Sequence, residues 1–362
     1  MDRGAAGAGG ASVGCMDDSG TLEEAFERLH RTGPEFDGWL SNHGPMAVES
    51  MVRRGHAREV HRWLDAYTAR LEEAPGGTRA IGDDWREALG DPRRLGDWLR
   101  FFERETKERP WRAVLEEWWP RLLPGIAAGA THGVIRTGHA VHALLELEDG
   151  PRLAELGQAL GYWAARWQPV AGAAPPSGTE TPSGALAGVP RVADQSRDID
   201  HRLRQLAGTG GWEPSVAALA PASGAGEARD RLAALADAAT LRYLTHAHGS
   251  PVMLIHSATA PTAVLRTLPA LPASLWVPSL DAAWAAAAAV TAAYGPAGPV
   301  TGRELPAAPG SAQEAFDRAV AHGDEHVIKL ADTALDVYER TADPDALAAV
   351  VRASRSIQPL KA

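Results

Sequence analysis

The sequence predicts an all-α protein. Apolar residues recur at three- and four-residue spacing along most of the chain, and proline stands at the start of several of these runs. Only "SPVMLIHSAT" (250–259) alternates at all like a strand, and no internal repeat of solenoid length is present. At 362 residues the chain is long enough to bury a large core without disulfides or structural metals. The reading is one helical domain over 20–362, behind a Gly/Ala-rich flexible tail at 1–19.

Taken in order, "TLEE" sets a Thr21–Glu24 capping box before Leu22, Phe26 and Leu29, and "TGP" stops that helix. "SNHGPMAVESMVRRG" gives a turn, Pro45 in a first helical turn, and an end at Gly55. Helical runs follow in "REVHRWLDAYTARLEE" and "DPRRLGDWLRFFERETKE". The run from "RPWRAV" to "HALLEL" is expected to break at Pro120 and Pro124, and "PRLAELGQALGYWAARW" is the next helix. Residues 168–190, "QPVAGAAPPSGTETPSGALAGVP", read as a domain linker or a surface loop. Helical patterns resume near 195 and at 226–247, 280–293, 311–340 and 343–353.

The net charge of −10, with no basic run to offset it, argues against nucleic acid and anionic membranes as partners. No 18 consecutive apolar residues occur, so no transmembrane helix is expected. The single cysteine, Cys15, excludes an internal disulfide framework and a thiolate metal site. "MDRGAAGAGG" has no apolar core of a signal peptide, and a cytoplasmic location is expected. No G-x-G-x-x-G follows a strand, and P-loop, H-E-x-x-H and G-x-S-x-G motifs are missing. A helical di-iron site needs two Glu-x-x-His motifs, and only Glu27–His30 supplies one.

Histidine remains. Thirteen are present, and several sit in apolar helical runs. His30, His56, His61 and His201 have charged neighbours and read as surface residues. His43 precedes a proline-started helix, and His256 lies in the most apolar stretch of the chain. His132 and His139 are seven apart and share a helix face, with Arg136 between them and His142 after. In "AHGDEHVIKLADTAL", His322 and Lys329 would lie about 40° and 60° from His326 on one helix, over Leu330, Thr333 and Val337. His322 and His326 then have the i, i+4 spacing that offers two imidazoles to one ion. Hydrogen-bonded core histidines explain the same pattern. Lys329 is a burden on a buried face unless its stem carries the charge to solvent or its chemistry changes. A neutral lysine that takes up CO2 becomes a carbamate, an anionic oxygen ligand. Twelve tryptophans, five of them in 85–119, fit interhelix packing or an aromatic-walled pocket for a flat ligand.

Four ordered blocks, "LSNHGPMAVESM", "WWPRLLPGIAAGATHGVIRTGHAVHAL", "PVMLIHSATAPTAVLRTLPAL" and "DEHVIKLADTAL", resemble the questin oxidase-like family over roughly residues 20–340. The resemblance implies a helical fold and oxidative ring cleavage or Baeyer–Villiger-type chemistry on polycyclic aromatic ketones or quinones. It also implies a non-haem Fe(II) site of four histidines and a carboxylated lysine. By motif, these are His43 of "NHGPM", His132 of "HGVIRTGHA", His256 of "LIHSAT", and His326 with Lys329 of "DEHVIK". His326 and Lys329 take the catalytic role, and His139 and His322 are reserve ligands. "IHSAT" stands where "IHAVT" is expected, and 168–190 is not a family block; both bear on the substrate.

The expected partners are a small aromatic substrate and O2. NADPH, if consumed, acts as an outside reductant, because the two Rossmann motifs of a flavin enzyme are missing. The same His/carbamate set also suits a metal-dependent hydrolase, and packed histidines alone suit a non-catalytic helical ligand-binding protein. The sequence does not define the oligomeric state.

Overall fold

The computed structural model describes residues 20–302 and 305–360; the expected tail and Cys15 lie outside the described residues. The all-α expectation holds among them, with seventeen helices and one two-stranded hairpin. Helix α1 (Thr21–Leu29) buries Leu22, Ala25, Phe26 and Leu29. The expected capping box does not form: Gly20, at φ 91°, is the N-cap, and no side chain caps the helix. The hairpin β1 (Glu35–Phe36) and β2 (Leu40–Ser41) turns through Asp37 and Gly38, both left-handed, and leads into α2 (Gly44–Arg53). Helix α3 (Ala57–Tyr67) packs on α1 and α2.

Helices α4 (Trp85–Ala88), α5 (Leu95–Glu108) and α6 (Trp111–Leu122) hold all five clustered tryptophans. Trp85, Trp98 and Trp118 pack with Phe101 and Phe102 at ring-centroid distances of 5.0–5.8 Å, so this group is interhelix packing. Pro120 sits inside α6 without ending it. The break comes at the 3-10 turn Leu123–Gly125, before α7 (His132–Glu146) and α8 (Gly150–Ala165).

The 168–190 stretch contains a helix, α9 (Pro182–Ala187), capped by the Thr181 hydroxyl accepting from Gly184 N–H at 3.2 Å. It is followed by the short α10 (Ile199–Arg204) and α11 (Trp212–Ala217). Three long helices come next, α12 (Ala225–His246), α13 (Pro251–Thr267) and α14 (Trp276–Tyr294). The strand-like "SPVMLIHSAT" is the first half of α13. Residues Leu254 to Val264 are buried on every side, and a helix enclosed by neighbours shows no periodicity that separates it from a strand. Ala273–Tyr294 is long and apolar enough to cross a membrane, but 67 % of that window is buried, and α14 packs on α12 and α13 as a core helix.

The last helices are α15 (Ala312–His322), α16 (Glu325–Thr341) and α17 (Pro344–Ser356). Around α13 stand α7, α12, α14 and α16, and α2 closes the ring by packing on both α7 and α16. Helices α7 and α13 cross closely at Gly138, where a Cβ would come within 2.5 Å of Ala263 Cβ. This crossing sets the spacing of the site.

Candidate metal centre

Four elements each contribute one imidazole. His43 is the N-cap of α2, and its backbone N–H donates to the Tyr67 hydroxyl at 2.6 Å. Asn42 ties this corner down, donating from its amide to the Gly33 carbonyl at 3.1 Å and accepting from Gly44 N–H at 2.9 Å. His132 opens α7 directly after Gly129, Ala130 and Thr131, three consecutive residues with φ of 51°, 60° and 71°. A left-handed turn with side chains at two positions costs roughly 1–2 kcal/mol per residue. Its Gly129 carbonyl accepts the His132 Nδ1–H, which leaves Nε2 as the free lone pair.

His256 lies in the middle of α13, fully buried, with neither ring nitrogen hydrogen-bonded. His326 stands in the first turn of α16, where the Asp324 carboxylate caps the helix by accepting from His326 and Val327 N–H at 2.9 and 3.2 Å.

Their ligand nitrogens all lie within 4.8 Å of one another. His43 and His132 face each other Nε2 to Nε2 at 2.7 Å. Ring centroids are 4.4 Å apart for His132 and His256, 4.5 Å for His43 and His326, and 5.9 Å for His256 and His326. Burial pushes His43, His132 and His256 well below the ordinary imidazole range, and the nearby Lys329 charge adds to each. They are neutral donors. Lys329, one turn beyond His326, is fully buried with no partner for Nζ. Burial brings its pKa down to about 7, against the opposing pull of Glu325 and Asp324.

Twelve buried side-chain polar atoms lack a hydrogen-bond partner among the described residues, and five belong to His43, His256, His326 and Lys329. A buried polar group without a partner costs about 1–3 kcal/mol, so their concentration at one point marks where an outside group would bind. Converging imidazoles without thiolate fit a divalent first-row cation. An ammonium at Lys329 would oppose that cation, whereas a neutral amine or its carbamate would not.

The reserve ligands are elsewhere. Gly323, at φ 80°, separates α15 from α16, so His322 and His326 do not share a helix face. His322 Nε2–H donates to the Ile357 carbonyl at 3.1 Å instead. His139, two turns along α7, bonds Glu49 through Nδ1 at 2.6 Å and lies beside Asp332. His30, expected on the surface, is half-buried and bonds Glu155 at 2.8 Å, the carboxylate that also takes Arg136 at 2.5 Å.

Sequence reasoning missed the buried ionic group around Glu49, Asp332 and Asp336. The i, i+4 carboxylates of "DTALD" and the "RR" closing α2 were its signal.

The family described as Questin oxidase-like matches residues 26–155, about a third of the chain. That segment carries His43 and His132 and ends before His256, His326 and Lys329. The match supports the resemblance drawn from the four sequence blocks, and the family's name points to an oxidase. No curated protein matches the chain.

Proposed function

We propose that the chain is a non-haem iron-dependent oxygenase that cleaves or inserts oxygen into a polycyclic aromatic ketone or quinone in secondary metabolism. The observation that carries this reading is the meeting of four imidazoles, those of His43, His132 and His256 buried and pushed well below their ordinary range, beside a buried lysine without a partner. His43, His132, His256 and His326 would hold the ion. Lys329 would complete the set as a carbamate: its neutral amine nitrogen bonds the carbon of CO2 and releases one proton, giving an anionic oxygen donor. O2 binding and one-electron redox chemistry are what iron would supply in such a set.

The protein's own part is positional. The Gly129 carbonyl fixes the His132 tautomer, Asp324 anchors the first turn of α16, and Tyr67 anchors the backbone of His43. Burial keeps His43, His132 and His256 unprotonated. Electrons beyond those of the substrate would come from an outside donor such as NADPH.

The test is anaerobic loading with Fe(II), then O2 uptake with a hydroxyanthraquinone, with and without NADPH. The reading expects uptake coupled to substrate loss in the iron-loaded parent and none in His256→Ala. A protein that is active only with zinc, and consumes no O2, would show a hydrolase instead.

A further inference from the structure

Helix α16 opens with Glu325 and carries Lys329 one turn later, the acid first, which is the order in which such a pair joins most readily on a helix. Both side chains are buried, where an unpaired charge costs most. The pair nevertheless does not form. Lys329 Nζ has no partner, and the ion pair of Glu325 runs the other way, to Arg70. The two are still neighbours, because the Glu325 charge acts on Lys329 against the larger effect of burial.

Arg70 ends the 3-10 turn Thr68–Arg70 that follows α3, and its guanidinium meets the Glu325 carboxylate at 2.8 Å. Two rings hold that guanidinium in place: it lies 4.2 Å from the centre of Tyr67 and 5.4 Å from that of Phe36 on β1. Tyr67 is the residue whose hydroxyl accepts the His43 N–H, so the carboxylate is drawn toward the α3 corner. The other acid near Lys329, Asp324, is occupied in capping α16 at the N–H groups of His326 and Val327. Each acid that could take the lysine already has another partner. Arg70 is also the accessible member of the group: its side chain is 35 % exposed, on the wall of an open hollow of about 430 Å3 that Asp324 also lines.

We propose that Arg70 is a positioning residue for the metal centre: by holding the Glu325 carboxylate, it keeps Lys329 Nζ free beside the four imidazoles. Without Arg70, Glu325 turns to the lysine one turn ahead and draws Nζ off the centre. The consequence for metal binding rests on the metal-centre reading; the change of partner within α16 does not.

The experiment joins a crystal structure of metal-free Arg70→Gln to Co(II) titration, read by visible absorption, of the full-length parent, Arg70→Gln, Glu325→Gln, the double variant and Arg70→Lys. In the Arg70→Gln crystal the Glu325 carboxylate is expected within about 4 Å of Lys329 Nζ. Co(II) affinity should fall about tenfold in Arg70→Gln and return to within about threefold of the parent in the double variant. Glu325→Gln alone should bind as the parent does. Arg70→Lys still offers Glu325 a cation and should keep most of the affinity, so a tenfold loss there would overturn the proposal. A loss that persists in the double variant would mean a loosened corner rather than a changed partner, and would overturn it too. So would a carboxylate that stays off Lys329 in the crystal, or parent-like affinity in Arg70→Gln, and both of these leave the metal centre standing. A parent that binds no Co(II) would remove the metal centre itself, and the role of Arg70 with it.

Discussion

Helices α2, α7, α13 and α16 carry two buried polar layers, about 10 Å apart along α7, and the two are built in opposite ways. In the first, His43, His132, His256, His326 and Lys329 point at one another, and most of their polar atoms find no partner. In the second, the same four helices supply Glu49, His139, Arg266 and the pair Asp332 and Asp336, and the charges are paired. Glu49 takes His139 and His142 at 2.6 and 2.8 Å. Asp332 takes Arg53, Arg54 and Arg266 at 2.5, 2.8 and 2.7 Å, and Asp336 takes Arg53 and Arg266 at 2.7 and 2.6 Å. One layer is satisfied within the chain; the other leaves polar atoms over. A buried polar cluster is evidence of ligand binding only when its atoms are left over.

That contrast breaks first at Asp332. Asp332→Ala would leave Arg53, Arg54 and Arg266 crowded on Asp336 with the fully buried carboxylate gone, and should cost about 3–5 kcal/mol in urea unfolding. A loss near zero would mean the ionic layer does not hold the helices. Lys329→Met should do the reverse in metal-free protein, raising stability by about 1–3 kcal/mol as an unpartnered buried amine is replaced by an apolar chain of similar length. Iron affinity should fall in the same variant. If Lys329→Met instead weakens the metal-free fold, the lysine has a partner inside the protein.

Acid sharpens the difference. The arginines hold Asp332 well below the usual carboxylate range, and His139 and His142 hold Glu49 below it. A carboxylate depressed in the fold contributes stability that is complete above the unfolded pKa, about 4, and is lost as pH falls through the folded value. Burial keeps His139 below the ordinary imidazole range, so it also lowers stability as pH falls below about 6.5. Stability should therefore decline below pH about 4 by up to about 1.4 kcal/mol per pH unit for each such carboxylate. Asp332→Asn should flatten that slope, as read by unfolding at a series of pH values. The smallest effect is expected at His322, outside both layers. His322→Ala should cost no more than about 1 kcal/mol, the bond to Ile357, and leave metal content unchanged.

Much of the histidine layer was legible because each residue sits in a distinctive run, such as the proline-started "NHGPM" or the apolar "VMLIHSAT". Periodicity failed where backbone conformation changed. Gly323 ends one helix before Glu325 begins the next, which removed His322 from the face it was expected to share with His326. The left-handed path at Ala130 and Thr131 carries no sequence signal, since neither residue favours positive φ. The ionic layer was hidden for a different reason. Arg53 and Asp332 are 279 residues apart, and a charge in isolation reads as solvated until its partner is known.

If the leftover imidazoles hold a metal, the metal content of the protein shows it, read by plasma mass spectrometry on protein purified anaerobically without an affinity tag, beside His326→Ala. Near-stoichiometric iron is expected in the parent, with its loss in the variant. Parent protein that takes up no metal, even after Fe(II) is supplied, would contradict that role.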